Sequence, residues 1–192
     1  MMESKLRPVI QPLISSLSSS LPLFMSPNYV TLFGFISACG ASAAISQQYL
    51  ITGLFFILLC GFFDILDGTI ARMRNIATPV GAYIDLICDR LSEIAIIIGF
   101  ARGFPEYSFL YIIFLGAVLF HFSTFLAASS LIKNNGTKSI HYEESLIERA
   151  EAFVVFSAMC LIPNHIFALL FIFNIGVIIT AMTRFYRIIN LD

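Results

Sequence analysis

The chain has 192 residues, 58% of them hydrophobic and 12% charged, and its mean hydropathy is +0.89. Soluble domains carry roughly 25% charged residues, and a chain this short has too little interior to hide so much apolar surface; a water-soluble globule is excluded. The net charge of −1 carries no signal for nucleic acid, and no basic stripe of the kind such binding needs is present.

The first 26 residues form a juxtamembrane segment, distinct from a membrane domain over 27–192. Lys5 and Arg7 are followed by scattered apolar residues and serines from Pro8 to Ser20. That pattern is not a cleavable signal peptide, and predicts an amphipathic helix on the membrane surface. A membrane span needs about 20 apolar residues. Six spans are predicted, at about 27–46, 50–72, 79–100, 107–132, 146–162 and 165–188. Gln47-Gln48-Tyr49, Gly103-Phe104-Pro105-Glu106 and Pro163-Asn164 are the short breaks. Residues 133–144 are the long polar loop. Pro27 and Pro79 stand where a first helical turn tolerates proline. The four cysteines, Cys39, Cys60, Cys88 and Cys160, lie in apolar stretches without a CxxC pair and read as buried free thiols.

The basic residues sort by side. Lys5, Arg7, Arg72, Arg74, Lys133, Lys138, Arg149, Arg184 and Arg187 fall on one side of the bundle, and Arg102 on the other. The positive-inside rule then places both termini in the cytoplasm. The expected fold is an all-α integral membrane protein, six transmembrane helices in one bundle.

Asp64, Asp67, Asp85 and Asp89 lie within the second and third spans, where charge is costly and marks function. Asp64, Asp67 and Ala71 share one helix face, and Gly81, Asp85 and Asp89 share a face of the next. A short turn joins the two helices, which predicts antiparallel neighbours with acidic faces meeting. Four converging carboxylates repel strongly, and a hard divalent cation, Mg²⁺, Mn²⁺ or Ca²⁺, is the natural counter-charge. Gly68, Ala71 and Gly81 admit a flat ligand or a close backbone. Arg72 offers a planar fork to a phosphate. Acids, small residues and an arginine together suit a nucleotide diphosphate. The competing reading of these residues is an interhelical packing seam with a few ion pairs.

The run Asp64-x-x-Asp67-Gly68-x-x-Ala71-Arg72, eight residues, then Gly81-x-x-x-Asp85-x-x-x-Asp89 resembles the signature of the CDP-alcohol phosphotransferases, with eight fixed positions over 26 residues. Pro27-Asn28-x-x-Thr31-x-x-Gly34 also looks like that family's entry into its first span. The resemblance implies that Asp64, Asp67, Asp85 and Asp89 hold Mg²⁺ or Mn²⁺ and that Asp89 is the base. It implies that Thr31, Gly68, Ala71, Arg72 and Gly81 surround the CDP group. A lipid phosphate would pass from CDP-diacylglycerol to a small polar alcohol, with release of CMP. Family members are commonly homodimers.

For the acceptor, Lys133, Arg149 and Arg184 gather on the cytoplasmic side with Arg187, and converging basic residues suit an alcohol that already carries phosphate. Their placing resembles the branch that uses inositol phosphate; glycerol 3-phosphate is the alternative acceptor. Arg184 and Arg187 could instead snorkel and fix topology. His121 reads as a helix–helix contact or as a cavity-lining residue. Two readings of another class stand beside the enzyme: a cation transporter using the intramembrane acids, and a membrane scaffold.

Overall fold

The computed structural model describes residues 26–131 and 149–190. The surface helix expected within the first 25 residues, and Lys133 in the long loop, lie outside the described residues. Those described fold into six helices: α1 (Pro27–Ser46), α2 (Leu50–Met73), α3 (Pro79–Gly103), α4 (Ser108–Leu131), α5 (Arg149–Leu161) and α6 (Ile166–Ile189). Turns of 3-10 helix at Pro105–Tyr107 and Pro163–His165 lead into α4 and α6.

Local chemistry explains the ends. Pro27 and Pro79 occupy first turns, and Thr78 Oγ1 accepts the Gly81 N–H at 3.0 Å, capping α3. α1 and α2 both close with a left-handed residue, Gln48 at φ 62 and Asn75 at φ 53. After α2, the Ile76 N–H reaches Ala71 O at 3.1 Å and the Asn75 N–H reaches Arg72 O at 3.3 Å. After α1, Tyr49 and Gln48 bond Ala44 O and Ile45 O in the same way. This is the Schellman pattern, which satisfies carbonyls that would otherwise be orphaned at a helix end. Gln48 Nε2 also donates to Gly103 O at 2.9 Å, tying the first turn to the end of α3.

Among the described residues, four stretches are long and apolar enough to cross a membrane: Pro27–Ser46, Leu50–Met73, Pro105–Ser130 and Pro163–Ile189. α3 is as long but carries Asp85, Asp89, Arg90, Glu93 and Arg102. Large apolar side chains such as Ile51, Phe55, Ile112, Phe167 and Ile172 cover the outside. So much exposed apolar surface fits lipid as the solvent, and the chain is an integral membrane protein. Cys60 and Cys160 are buried and Cys88 half-buried, but Cys39 is exposed. The expectation of four buried thiols fails at Cys39 because its apolar stretch turns that face outward.

The packing corrects one expectation about neighbours. α2 and α3 follow one another yet barely touch; α1 packs closely against both, α4 against α6, and α2 against α5. Small residues permit the central place of α1. A Cβ on Gly99 would lie 2.7 Å from Ser42 Cα, and one on Gly103 would lie 2.5 Å from Ile45 O. On the α2 side, a Cβ on Gly34 would lie 3.4 Å from Phe63 Cβ. With little hydrophobic drive between helices in lipid, such close approach is what holds them. The far halves join through a buried core including Ile45, Ile57, Phe100, Phe114, Phe156 and Phe173. Phe114 stacks on Phe173 with ring centroids 5.8 Å apart.

Candidate active site

Helix alternation brings the start of α1, the end of α2 and the start of α3 to one end of the bundle. Because α2 and α3 stay apart, a cleft opens between them, floored by α1. It is lined by Thr31, Gly34, Phe35, Cys60, Asp64, Asp67, Asp85, Cys88, Asp89 and Ser92. All four predicted aspartates are there.

Asp64, Asp67 and Asp85 each offer one carboxylate oxygen, and the three oxygens lie within 4.8 Å of one another. Asp67 is 3% exposed; Asp64 and Asp85 are half-buried. Three carboxylates this close, in a poorly hydrated cleft, repel one another. An all-oxygen, anionic donor set suits a hard divalent cation and not a thiophilic one, so the residues present fit Mg²⁺ or Mn²⁺. Asp89 stands one turn further along α3, on the cleft wall, and is not among the three whose oxygens meet. Thr31 Oγ1 donates to Asp67 Oδ2 at 2.5 Å across the α1–α2 contact.

The small residues border the same end. A Cβ on Gly68 would lie 3.2 Å from Arg72 Nη1, so the missing side chain is what lets the guanidinium fold back over α2. A Cβ on Gly81 would sit 3.4 Å from Asn28 Oδ1, which places Gly81 against α1. Ala71 is half-buried and Arg72 exposed, and neither they nor Gly68 and Gly81 line the aspartate cleft itself.

Of the basic residues proposed for an acceptor, Lys133 and the Arg149 side chain lie outside the described residues. Arg149 begins α5. Arg184 is buried at the end of α6, 5% exposed. Its Nη1 donates to His121 O at 3.2 Å and to Thr124 Oγ1 at 3.4 Å, and its guanidinium lies 5.5 Å from the centre of the Phe125 ring. Arg184 thus docks α6 on α4 and does not snorkel. Arg187 is exposed. His121 contributes that carbonyl and is absent from the aspartate cleft.

Cys60, Cys88 and Ser92 also line the cleft, although the sequence reads the two cysteines only as buried thiols and carries no reading of Ser92 or of Glu93 beyond it. Glu93 extends the Gly81–Asp85–Asp89 stripe by one more four-residue step, a signal that was available. It is buried and pairs with Arg90 at 2.9 Å, and the Arg90 guanidinium lies 5.7 Å from the Phe122 ring centre. The cysteines carry no such signal, since a thiol in an apolar span looks the same on either face.

The CDP-alcohol phosphatidyltransferase family matches residues 24–185. An archaetidylinositol phosphate synthase of Methanothermobacter thermautotrophicus is 41% identical over 102 residues, which cover 53% of this chain and 51% of that protein. The chain therefore spans about half the length of that curated relative. The inner membrane protein YnjF of Escherichia coli is 31% identical over 196 residues, covering 96% of this chain and 93% of its own. The fold is shared with crystal structures of Mycobacterium tuberculosis phosphatidylinositol phosphate synthase. One, with CDP-DAG bound, has a TM-score of 0.77 at 20% identity, covering 91% of this chain and 92% of that chain. Another, in complex with manganese and citrate, has a TM-score of 0.78 at 22% identity, covering 93% and 92%.

Proposed function

The chain belongs to the CDP-alcohol phosphatidyltransferase family, and on that premise we propose that it transfers a phosphatidyl group from CDP-diacylglycerol to the hydroxyl of a small polar acceptor and releases CMP. The observation that carries this reading is the meeting of Asp64, Asp67 and Asp85 within 4.8 Å at the motif positions. A divalent cation bound there, Mg²⁺ or Mn²⁺, would neutralise the diphosphate and the charge on the departing phosphate.

The chain's own residues divide the remaining work. Asp64, Asp67 and Asp85 hold the cation, and Asp89 completes the acidic wall. Arg72, folded over Gly68, meets the diphosphate with a planar fork. Gly68, Ala71 and Gly81 border the CDP group, with Gly81 and Gly68 leaving room beside α1 and Arg72. Asp89 takes the proton of the acceptor hydroxyl. The hydroxyl oxygen then forms a bond to the lipid-linked phosphorus as the bond from that phosphorus to the CMP oxygen breaks.

All six helices cross the membrane in this reading. α5 has 13 described residues, about 20 Å of helix at 1.5 Å per residue. In this reading the cleft and both termini face the cytoplasm of a bacterial or archaeal cell, and the positive-inside distribution of basic residues supports that orientation. There a lipid-borne nucleotide and a soluble acceptor can both arrive. Inositol phosphate is the acceptor we favour, with Lys133, Arg149 and Arg184 receiving its phosphate; glycerol 3-phosphate is the alternative. The working unit is a homodimer. A cation transporter would need its acids on a path through the midplane, whereas here they gather at one end of the bundle.

The test of the acceptor is CMP release by the purified protein with CDP-diacylglycerol, Mg²⁺ or Mn²⁺, and inositol phosphate, inositol, glycerol 3-phosphate or serine in turn. Inositol phosphate should give the highest kcat/KM. A higher value with glycerol 3-phosphate would move the chain to that branch, and no CMP with any acceptor would sink the enzyme reading.

A further inference from the structure

Thr31 belongs to α1, a helix that carries no acid, and lies 36 residues from Asp67 in sequence. The fold nonetheless delivers its hydroxyl to that carboxylate, with Oγ1 to Oδ2 at 2.5 Å and both side chains buried, 8% and 3% exposed. The same hydroxyl is 3.1 Å from the Pro27 carbonyl. A hydroxyl has a single proton to donate. The Pro27 carbonyl stands four residues before Thr31 in α1, where the helix ladder already supplies an amide N–H. The carboxylate is the stronger acceptor, so the proton goes to Asp67. Thr31 is also stiff: a β-branched side chain in a helix has few χ1 choices.

We infer that Thr31 is a positioning residue for the cation site, holding the Asp67 carboxylate in place against Asp64 and Asp85 before a cation arrives, and not a contact of the nucleotide. The inference rests on the divalent-cation reading above and deepens it. Three carboxylate oxygens within 4.8 Å push one another apart. A carboxylate tethered from the side by a rigid hydroxyl stays converged; an untethered one turns away. Groups that orient a ligating side chain commonly change metal affinity by roughly 10–100-fold when removed.

The experiment compares wild type, Thr31→Val and Thr31→Ser as purified full-length protein in detergent. Mn²⁺ is titrated by electron paramagnetic resonance with no nucleotide present, and CDP-diacylglycerol binding is measured separately in chelator. Valine keeps the shape and removes the donor; serine restores it, and Thr31→Ala replaces valine if that variant does not accumulate. The expected result is a Kd for Mn²⁺ raised roughly 10–100-fold in Thr31→Val, near wild type in Thr31→Ser, with cation-free lipid binding unchanged in both. Wild-type Mn²⁺ affinity in Thr31→Val together with weakened CDP-diacylglycerol binding would overturn the inference and make Thr31 a nucleotide contact. Wild-type protein that binds no Mn²⁺ would instead overturn the cation reading on which it rests.

Discussion

Asp67 and Asp85 bring carboxylate oxygens within 4.8 Å of each other although their helices, α2 and α3, scarcely pack. The separation is what makes a cleft. Had the two helices packed directly, the acids would have been buried against backbone with no opening between them.

Removing either partner should therefore remove the cation. Asp67→Asn or Asp85→Asn deletes one charge from a three-carboxylate set without changing its size. Mn²⁺ affinity, read by titration, should fall at least about tenfold, and CMP release should fall on the order of 10³-fold. Unchanged Mn²⁺ affinity in both variants would dissolve the proposed cation site.

Asp89 should behave differently. It lines the cleft but stands outside the converging three. Asp89→Asn should lower kcat by roughly 10²–10⁴-fold, the range of a general base, while Mn²⁺ binding stays close to wild type. Single-turnover CMP release and the same titration separate the two quantities. Retained turnover would take the base role from Asp89.

The predicted helix bounds and the observed ones agree within three residues at every described terminus, because Pro27, Pro79, Gly103 and Pro105 mark the breaks chemically. The four aspartates were legible for the same reason that they are costly: an acid in an apolar helix stands out. Spatial order was harder. Two helices joined by a short turn read as neighbours, yet Gly99 and Gly103 let α1 press against α3, and Gly53 of α2 meets Ile45 of α1 where a Cβ would lie 2.5 Å from its Cγ1. A glycine in a span shows in sequence, but the backbone it will meet does not. Arg184 was ambiguous for a similar reason. An arginine at a helix end looks like an interfacial anchor until the carbonyl of His121, 63 residues away, is seen to receive it.

The central place of α1 gives a stability prediction. Gly99→Val would drive a side chain into Ser42, where even a Cβ would lie 2.7 Å from Cα and from the carbonyl oxygen. Backbone cannot swing aside as a side chain can, and overpacking costs typically about 1–3 kcal/mol. Thermal unfolding in detergent should show a clearly lowered Tm. Gly116→Ala, at a position where an added Cβ meets nothing within 4 Å, should leave Tm unchanged.

The two arginines named for the acceptor should separate. Arg184→Ala removes a buried guanidinium that joins α6 to α4, so it should lower Tm as well as activity. Arg149→Ala should raise the KM for a phosphate-bearing acceptor by about tenfold or more, the worth of a charged hydrogen bond, and leave the KM for CDP-diacylglycerol alone. An unchanged acceptor KM would return Arg149 to a purely structural or topological role.

The most direct test of the central claim is CMP formation from CDP-diacylglycerol by the purified protein in detergent, with inositol phosphate present and Mn²⁺ added or chelated. The predicted result is CMP matched by an equal amount of new phospholipid, abolished by chelation and by Asp85→Asn. CMP formation that survives both the chelator and Asp85→Asn would contradict a reaction carried by the aspartate cleft.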